Sequence, residues 1–150
     1  MDNSGQAAAE KTYRAIGRFI FEFSQVEYTI RHYLAAEIGL TEKYFAAVVE
    51  SYDVGMLTTV AKEVFKKARG KEDSAGIEKL LNRFRELNDQ RKRVAHGLWV
   101  PFMDGGTVHY VSRNSLNPSQ FTDQAKELEV LADEACGLRS RLETALNGII

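Results

Sequence analysis

Apolar residues recur at three- and four-residue spacing over most of this chain. From Lys11 to about Ile38, the residues Ile16, Phe19, Ile20, Phe23, Val26, Ile30 and Leu34 line one side of a 3.6-residue repeat, and Gly39 follows as a stop. That spacing predicts one long amphipathic helix. A shorter helical pattern runs from about Glu42 to Glu50. A third runs from about Val54 to Ala68 through Leu57, Val60, Ala61, Val64 and Phe65, with Gly70 as its stop. Asp73 or Ser74 is placed to cap the next helix, whose stripe is Ile77, Leu80, Leu81, Phe84 and Leu87 and which continues to about Ala95 before Gly97.

The period then changes. Leu98 to Met103 and Thr107 to Ser112 flank Asp104-Gly105-Gly106, whose glycines permit positive φ, so this stretch predicts a β-hairpin, with Pro101 marking an edge. After a loop containing Asn117-Pro118, Thr122 caps a final helix to about Asn147, with Leu128, Leu131, Ala135, Leu138, Leu142 and Leu146 on one face. The expected fold is an all-α bundle of four or five helices, with a small β-hairpin inserted before the last helix. Without internal repeats or a long linker, residues 1–150 read as a single domain.

Composition narrows the classes. At 44% hydrophobic and 27% charged residues with only 2 prolines, the chain departs from disordered and low-complexity sequences. No apolar run approaches the roughly 18–20 residues that cross a bilayer, and MDNSGQAAAE lacks a basic n-region and an apolar h-region, so no membrane or secretory role is expected. The single cysteine, Cys136, fits a reducing cytoplasm and is read as a small helix residue. Neither a P-loop nor a G-x-G-x-x-G follows a strand, and His32, His96 and His109 lack metal-ligand spacing; no cofactor and no metal are expected.

Net charge is −1, but it is unevenly distributed. Residues 1–61 carry −3, residues 62–93 carry +5 from 11 Lys/Arg against 6 Asp/Glu, and residues 119–150 carry −3. A concentrated positive field is where a polyanion docks, although a solvated helix surface gives the same count.

More specific are charges lying on apolar stripes, because a buried unpaired charge is costly. At about 100° per residue, with Phe84 as zero, Ile77 falls near 20°, Asn88 near 40° and Arg91 near −20°, whereas Arg93 falls near 180° and is expected to face solvent. On the first helix the same pitch places Glu27 about 40° from Phe23, on the buried face. The simplest expectation is that Glu27, Asn88 and Arg91 meet where the helices pack, with the carboxylate orienting the guanidinium. On these residues alone, a structural ion pair that fixes helix register is the favoured explanation. His96 adds chemistry: it ends the helix against Gly97, five positions after Arg91, and an arginine with a histidine supplies a fixed cation for phosphate oxygens and a proton donor or acceptor near neutral pH.

The segment Glu86-Leu-Asn-Asp-Gln-Arg91-Lys-Arg-Val-Ala-His96-Gly97 resembles the signature of the HEPN superfamily, an arginine followed four to six residues later by a histidine at the end of a bundle helix. Phe23-Ser24-Gln25-Val26-Glu27 is similar to the opening helix of HEPN-like bacterial proteins. The resemblance implies a HEPN-like bundle that dimerises with its motifs facing one another. It further implies a metal-independent endoribonuclease of the toxin–antitoxin or phage-defence kind, often paired with a minimal nucleotidyltransferase as antitoxin. Carried over, His96 is the acid/base group and Arg91 stabilises the transition state as a ribose 2′-hydroxyl attacks phosphorus, with Glu27 and Asn88 in support. Lys92 and Arg93 become RNA phosphate-positioning cations. Active members usually carry Asn, Asp or His directly after the arginine, where this chain has Lys92. The alternative is therefore a non-catalytic dimeric HEPN-like module that binds RNA, a nucleotide or a partner protein. A purely structural bundle ranks third. Trp99, Phe102 and Tyr110 are candidates for base stacking or for covering the bundle end, and Phe21 is expected to be an exposed aromatic.

Overall fold

A computed structural model describes residues 3–100, 107–112, 115–119 and 124–147, with side chains described over 5–97 and 125–147. The chain is predominantly helical. In order come α1 (Asn3–Glu37), α2 (Glu42–Phe45), a π-helical turn over Ala46–Glu50, α3 (Val54–Arg69), α4 (Lys71–His96), three short strands and α5 (Gln124–Asn147). Among the described residues, no helix is long and apolar enough to cross a membrane.

Helix α1 begins well before the apolar repeat does. Gln6 to Glu10, rich in alanine, extends the helix on propensity alone. Its end follows the predicted stop: Gly39 adopts φ 67°, its N–H donates to Ala36 O at 3.1 Å, and the Leu40 N–H donates to Ala35 O at 2.8 Å. This Schellman pattern satisfies the last carbonyls and returns Leu40 to the core.

Asp53 caps α3 by accepting the Met56 N–H at 2.8 Å. Gly70, at φ 83° and ψ 164°, then turns the chain from α3 directly into α4. The cap expected at Asp73 or Ser74 is corrected: α4 starts at Lys71, and Ser74 lies buried inside its first turn with its hydroxyl donating to Lys71 O. One residue of left-handed backbone does the work that a capped loop was expected to do.

The core forms where the stripes of α1, α3, α4 and α5 converge. Phe19, Phe65, Phe84, Leu81, Leu87, Leu128, Leu138 and Leu142 are fully buried, and Phe23 stacks on Phe84 at 4.7 Å between ring centres. Helices α1 and α5 run in the same direction. Arg18 pairs with Glu129 and, at 2.6 Å, with Asp133 near the start of α5. At the opposite end, Arg69 reaches Glu37 at 3.2 Å and the Ala145 and Leu146 carbonyls at 3.4 Å. The sequence pattern predicts two strands before α5; instead β1 (Leu98–Val100), β2 (Thr107–Ser112) and β3 (Ser115–Ser119) pair antiparallel in that order. The third strand takes up the segment read as an Asn117-Pro118 loop. The turn at Asp104–Gly106, Pro101, and the side chains of Trp99, Phe102, His109 and Tyr110 lie outside the described residues.

Candidate functional site

Arg91 is carried on the last third of α4, at the border between core and solvent. Its Nε donates to Asn88 Oδ1 at 3.1 Å, one turn earlier, and its guanidinium carbon lies 5.6 Å from the centre of the Phe23 ring. The aromatic face and the amide together hold in place an arginine that has no carboxylate partner among the described residues. Asn88 is 7% exposed and spends its oxygen on Arg91, so its amide nitrogen has no acceptor among the described residues.

Glu27 does not join them. The stripe pattern pairs it with Arg91, but its carboxylate is bound by Arg31, four residues on along α1. Arg31 also donates to the carbonyls of Val49 and, at 2.7 Å, Tyr52, and is 9% exposed. A glutamate four residues before an arginine is the favourable order for a helical pair, and its geometry is reached without any second helix. The stripe pattern misses Arg31 because that residue sits about 80° off the Phe23 line, although the Glu27–Arg31 spacing is readable in the sequence. The pair ties the segment before α3 to α1 and thereby fixes where α3 begins.

That position matters because the start of α3 faces Arg91 across a cavity. The cavity, about 290 Å³, is lined by Asp53, Val54 and Gly55 on one side and by Arg85, Asn88, Asp89, Arg91 and Lys92 of α4 on the other. Asp53 takes the Met56 N–H, while the N–H groups of Val54 and Gly55 have no acceptor among the described residues. Three cations, Asn88 and the first residues of α3 thus line one space, together with Asp53 and Asp89. Lys92 leans on Asp89 at 3.7 Å in an exposed pair that is weak in water. Arg85 has no carboxylate partner among the described residues. Sequence reasoning misses it because nothing marks it out from the other basic residues of 62–93.

His96 and Arg93 lie outside this lining. His96 is exposed as the last residue of α4, and Gly97 closes the helix by donating to Arg93 O at 2.9 Å. Because α4 is one continuous helix, Arg91 and His96 are about 140° apart around its axis and about 7.5 Å apart along it. His96 instead continues the exposed row of Arg85, Asp89 and Lys92, one turn beyond Lys92. Arg93 is half-buried, not fully exposed as its position opposite the apolar stripe implies.

The remaining basic residues divide by partner. Arg83 is drawn to α5 by Glu134, with Glu86 beside it, and these carboxylates raise its pKa further. Phe21 is exposed, and His32 is exposed and stacked on Tyr28. Cys136 is a half-buried free thiol on α5. Among the described residues, no three His, Cys, Asp or Glu side chains converge as a metal-binding group. No protein-family model, characterised protein or solved structure shows a significant match to the chain.

Proposed function

We propose that the cavity between the start of α3 and the end of α4 seats a phosphodiester of RNA, and that the chain is a metal-independent endoribonuclease of toxin or defence type. The observation that carries this reading is the Arg91 site: a guanidinium held by Asn88 and Phe23 with no carboxylate partner among the described residues, lining a cavity with Arg85, Lys92 and the start of α3. Such donors match phosphate oxygens and strengthen as charge develops on them.

In the proposed reaction the ribose 2′-oxygen attacks the adjacent phosphorus and gives its proton to an imidazole. The bond from phosphorus to the 5′-oxygen breaks, and that oxygen takes up a proton. The products are a 2′,3′-cyclic phosphate and a 5′-hydroxyl. His96 is the proton carrier, and Arg91 stabilises the crowded phosphorus. The wide angle between them around α4 favours a composite site, with His96 of a second copy brought to the Arg91 cavity in a HEPN-like dimer. A nucleotidyltransferase-type antitoxin is the corresponding protein partner.

A second reading, a non-catalytic HEPN-like module, is favoured by one observation: Lys92 stands directly after Arg91 and is engaged by Asp89. End-labelled RNA incubated with wild type, Arg91→Ala and His96→Ala, with and without EDTA, separates the two. Cleavage by wild type alone, unaffected by EDTA and leaving cyclic phosphate ends, supports the nuclease. RNA binding without cleavage in all three folded proteins supports the module, and neither binding nor cleavage refutes both.

A further inference from the structure

Two helix faces meet along the seam between α3 and α4. On α3, Gly55, Thr59, Lys62 and Lys66 follow one another at three- and four-residue spacing and share a side. On α4, Glu78, Asn82, Arg85, Asp89, Lys92 and His96 do the same. The two rows are joined at two places. The cavity brings Gly55 opposite Arg85, Asp89 and Lys92. Farther along, Lys62 Nζ donates to Asn82 Oδ1 across the seam. The helices are antiparallel, connected through Gly70, so these two points fix a continuous strip.

The charges on this strip are left over from packing. Arg69 and Arg83, from the same basic segment, are bound by Glu37 and by Glu134 and Glu86. Among the described residues, Lys62 meets a neutral amide oxygen, and Lys66 and Arg85 have no carboxylate partner. Within the two rows, Lys62, Lys66, Arg85 and Lys92 face two acids, Asp89, which already leans on Lys92, and Glu78, at the Lys66 end of the strip. Neither row contains Phe, Tyr or Trp, so the strip is suited to a charged backbone and not to stacked bases.

We infer that the α3/α4 seam is a track for the sugar–phosphate backbone of single-stranded RNA, leading from the Arg91 cavity past Lys62 to Lys66. This rests on the phosphodiester reading of the cavity and extends it to the substrate's length and polarity of contact. From Gly55 to Lys66 the track is about 17 Å long, at about 1.5 Å per residue, so it holds several phosphates where the cavity holds one. Binding along it is expected to be tolerant of base sequence and strongly dependent on salt.

The test is fluorescence anisotropy with 2′-O-methyl oligoribonucleotides, which cannot cyclise, graded from a dinucleotide to about 12 nucleotides. Four proteins are compared: wild type, Lys62→Glu with Lys66→Glu, Lys67→Glu with Lys79→Glu, and Arg91→Ala. Lys67 and Lys79 are exposed lysines off the seam, so that pair matches the charge change elsewhere. Circular dichroism checks folding, and Lys66→Glu alone, at an exposed residue, serves if the double variant unfolds.

Wild type is expected to bind longer RNAs more tightly until the track is filled. The Lys62/Lys66 variant should lose at least about 25-fold for long RNAs at about 0.1 M salt, with a log–log salt slope shallower by at least about 1.4, and should bind the dinucleotide as wild type does. Equal weakening by the Lys67/Lys79 pair would overturn the track in favour of a general positive field. If Arg91→Ala weakens every length while Lys62/Lys66 changes nothing, the track is wrong and the cavity reading stands. If wild type binds none of the RNAs, both fall.

Discussion

The Arg31 clamp makes the sharpest test of how the helices are arranged around the site. Arg31→Met keeps most of the side-chain volume but removes the donors to Glu27 and to the Val49 and Tyr52 carbonyls. Hydrogen bonds from a charged donor contribute about 1.5–3 kcal/mol each, and breaking a buried pair from one side costs about 3–5 kcal/mol. The side chains of Arg31 and Glu27 are 11% and 26% exposed, so water re-enters on the Glu27 side and the lower half of that range applies. Arg31→Met is therefore expected to cost about 3–4 kcal/mol. For a chain of this length that lowers Tm by about 6–16 °C. Glu27→Ala, which leaves Arg31 its two carbonyls, should cost about 1–2 kcal/mol.

Urea denaturation of the single and double variants then decides the pairing. Glu27 and Arg31 should couple by about 1 kcal/mol in a double-mutant cycle, while Glu27→Ala and Arg91→Ala should be additive to within about 0.5 kcal/mol. Coupling of Glu27 to Arg91 with additivity to Arg31 would refute the clamp and restore the contact read from the stripes. Because the clamp sets the start of α3, Arg31→Met should also weaken RNA binding at the cavity at temperatures where the protein remains folded.

Other outcomes follow from packing and backbone. Phe84→Ala empties the centre of the bundle under Phe23 and is expected to cost about 3–5 kcal/mol by urea denaturation. Two glycine substitutions should have opposite signs. Gly70→Ala forces a side chain into the left-handed turn at φ 83° and should cost about 1–3 kcal/mol, whereas Gly76→Ala, inside α4 with nothing within 4 Å of the new Cβ, should stabilise by about 0.5–1 kcal/mol. Asp53→Ala removes the α3 cap at about 1 kcal/mol yet deletes one of the two carboxylates lining the cavity, so thermal melts should fall while RNA affinity rises.

Much of the helical layout is legible because burial imposes its period on the sequence. Phe19, Phe23, Ile30, Phe84 and Leu87 lie where their spacing puts them, and Gly39 and Gly70 end their helices by backbone geometry that glycine adopts at least cost. The start of α4 is misplaced by sequence reasoning because a capped loop and a single left-handed glycine look alike from composition. Arg91 and Asn88 are found through the stripe, since a polar residue at a buried azimuth has to be accommodated. Glu27 is correctly placed near the core but given the wrong partner: azimuth locates a residue on its own helix and says nothing of what approaches from another. Arg85 and the start of α3 are invisible for the same reason. They become part of one site only when α3 folds back along α4.

The uneven charge along the chain has a packing explanation that also bears on binding. The acidic flanks, residues 1–61 and 119–150, supply Glu37 and Glu134, and these carboxylates hold Arg69 and Arg83 of the basic segment across helix boundaries. Folding thus brings acid from both ends of the chain onto the outward edges of the basic segment and neutralises it there. Near the α3/α4 seam the neighbours are other parts of that same basic segment, so few carboxylates come within reach of its cations. A net charge of +5 over residues 62–93 is then a poor measure of affinity for a polyanion. What counts is the subset that the flanks leave unpaired among the described residues, and in this fold that subset includes Arg85 and Arg91 at the cavity and Lys62 and Lys66 along the seam that leads from it.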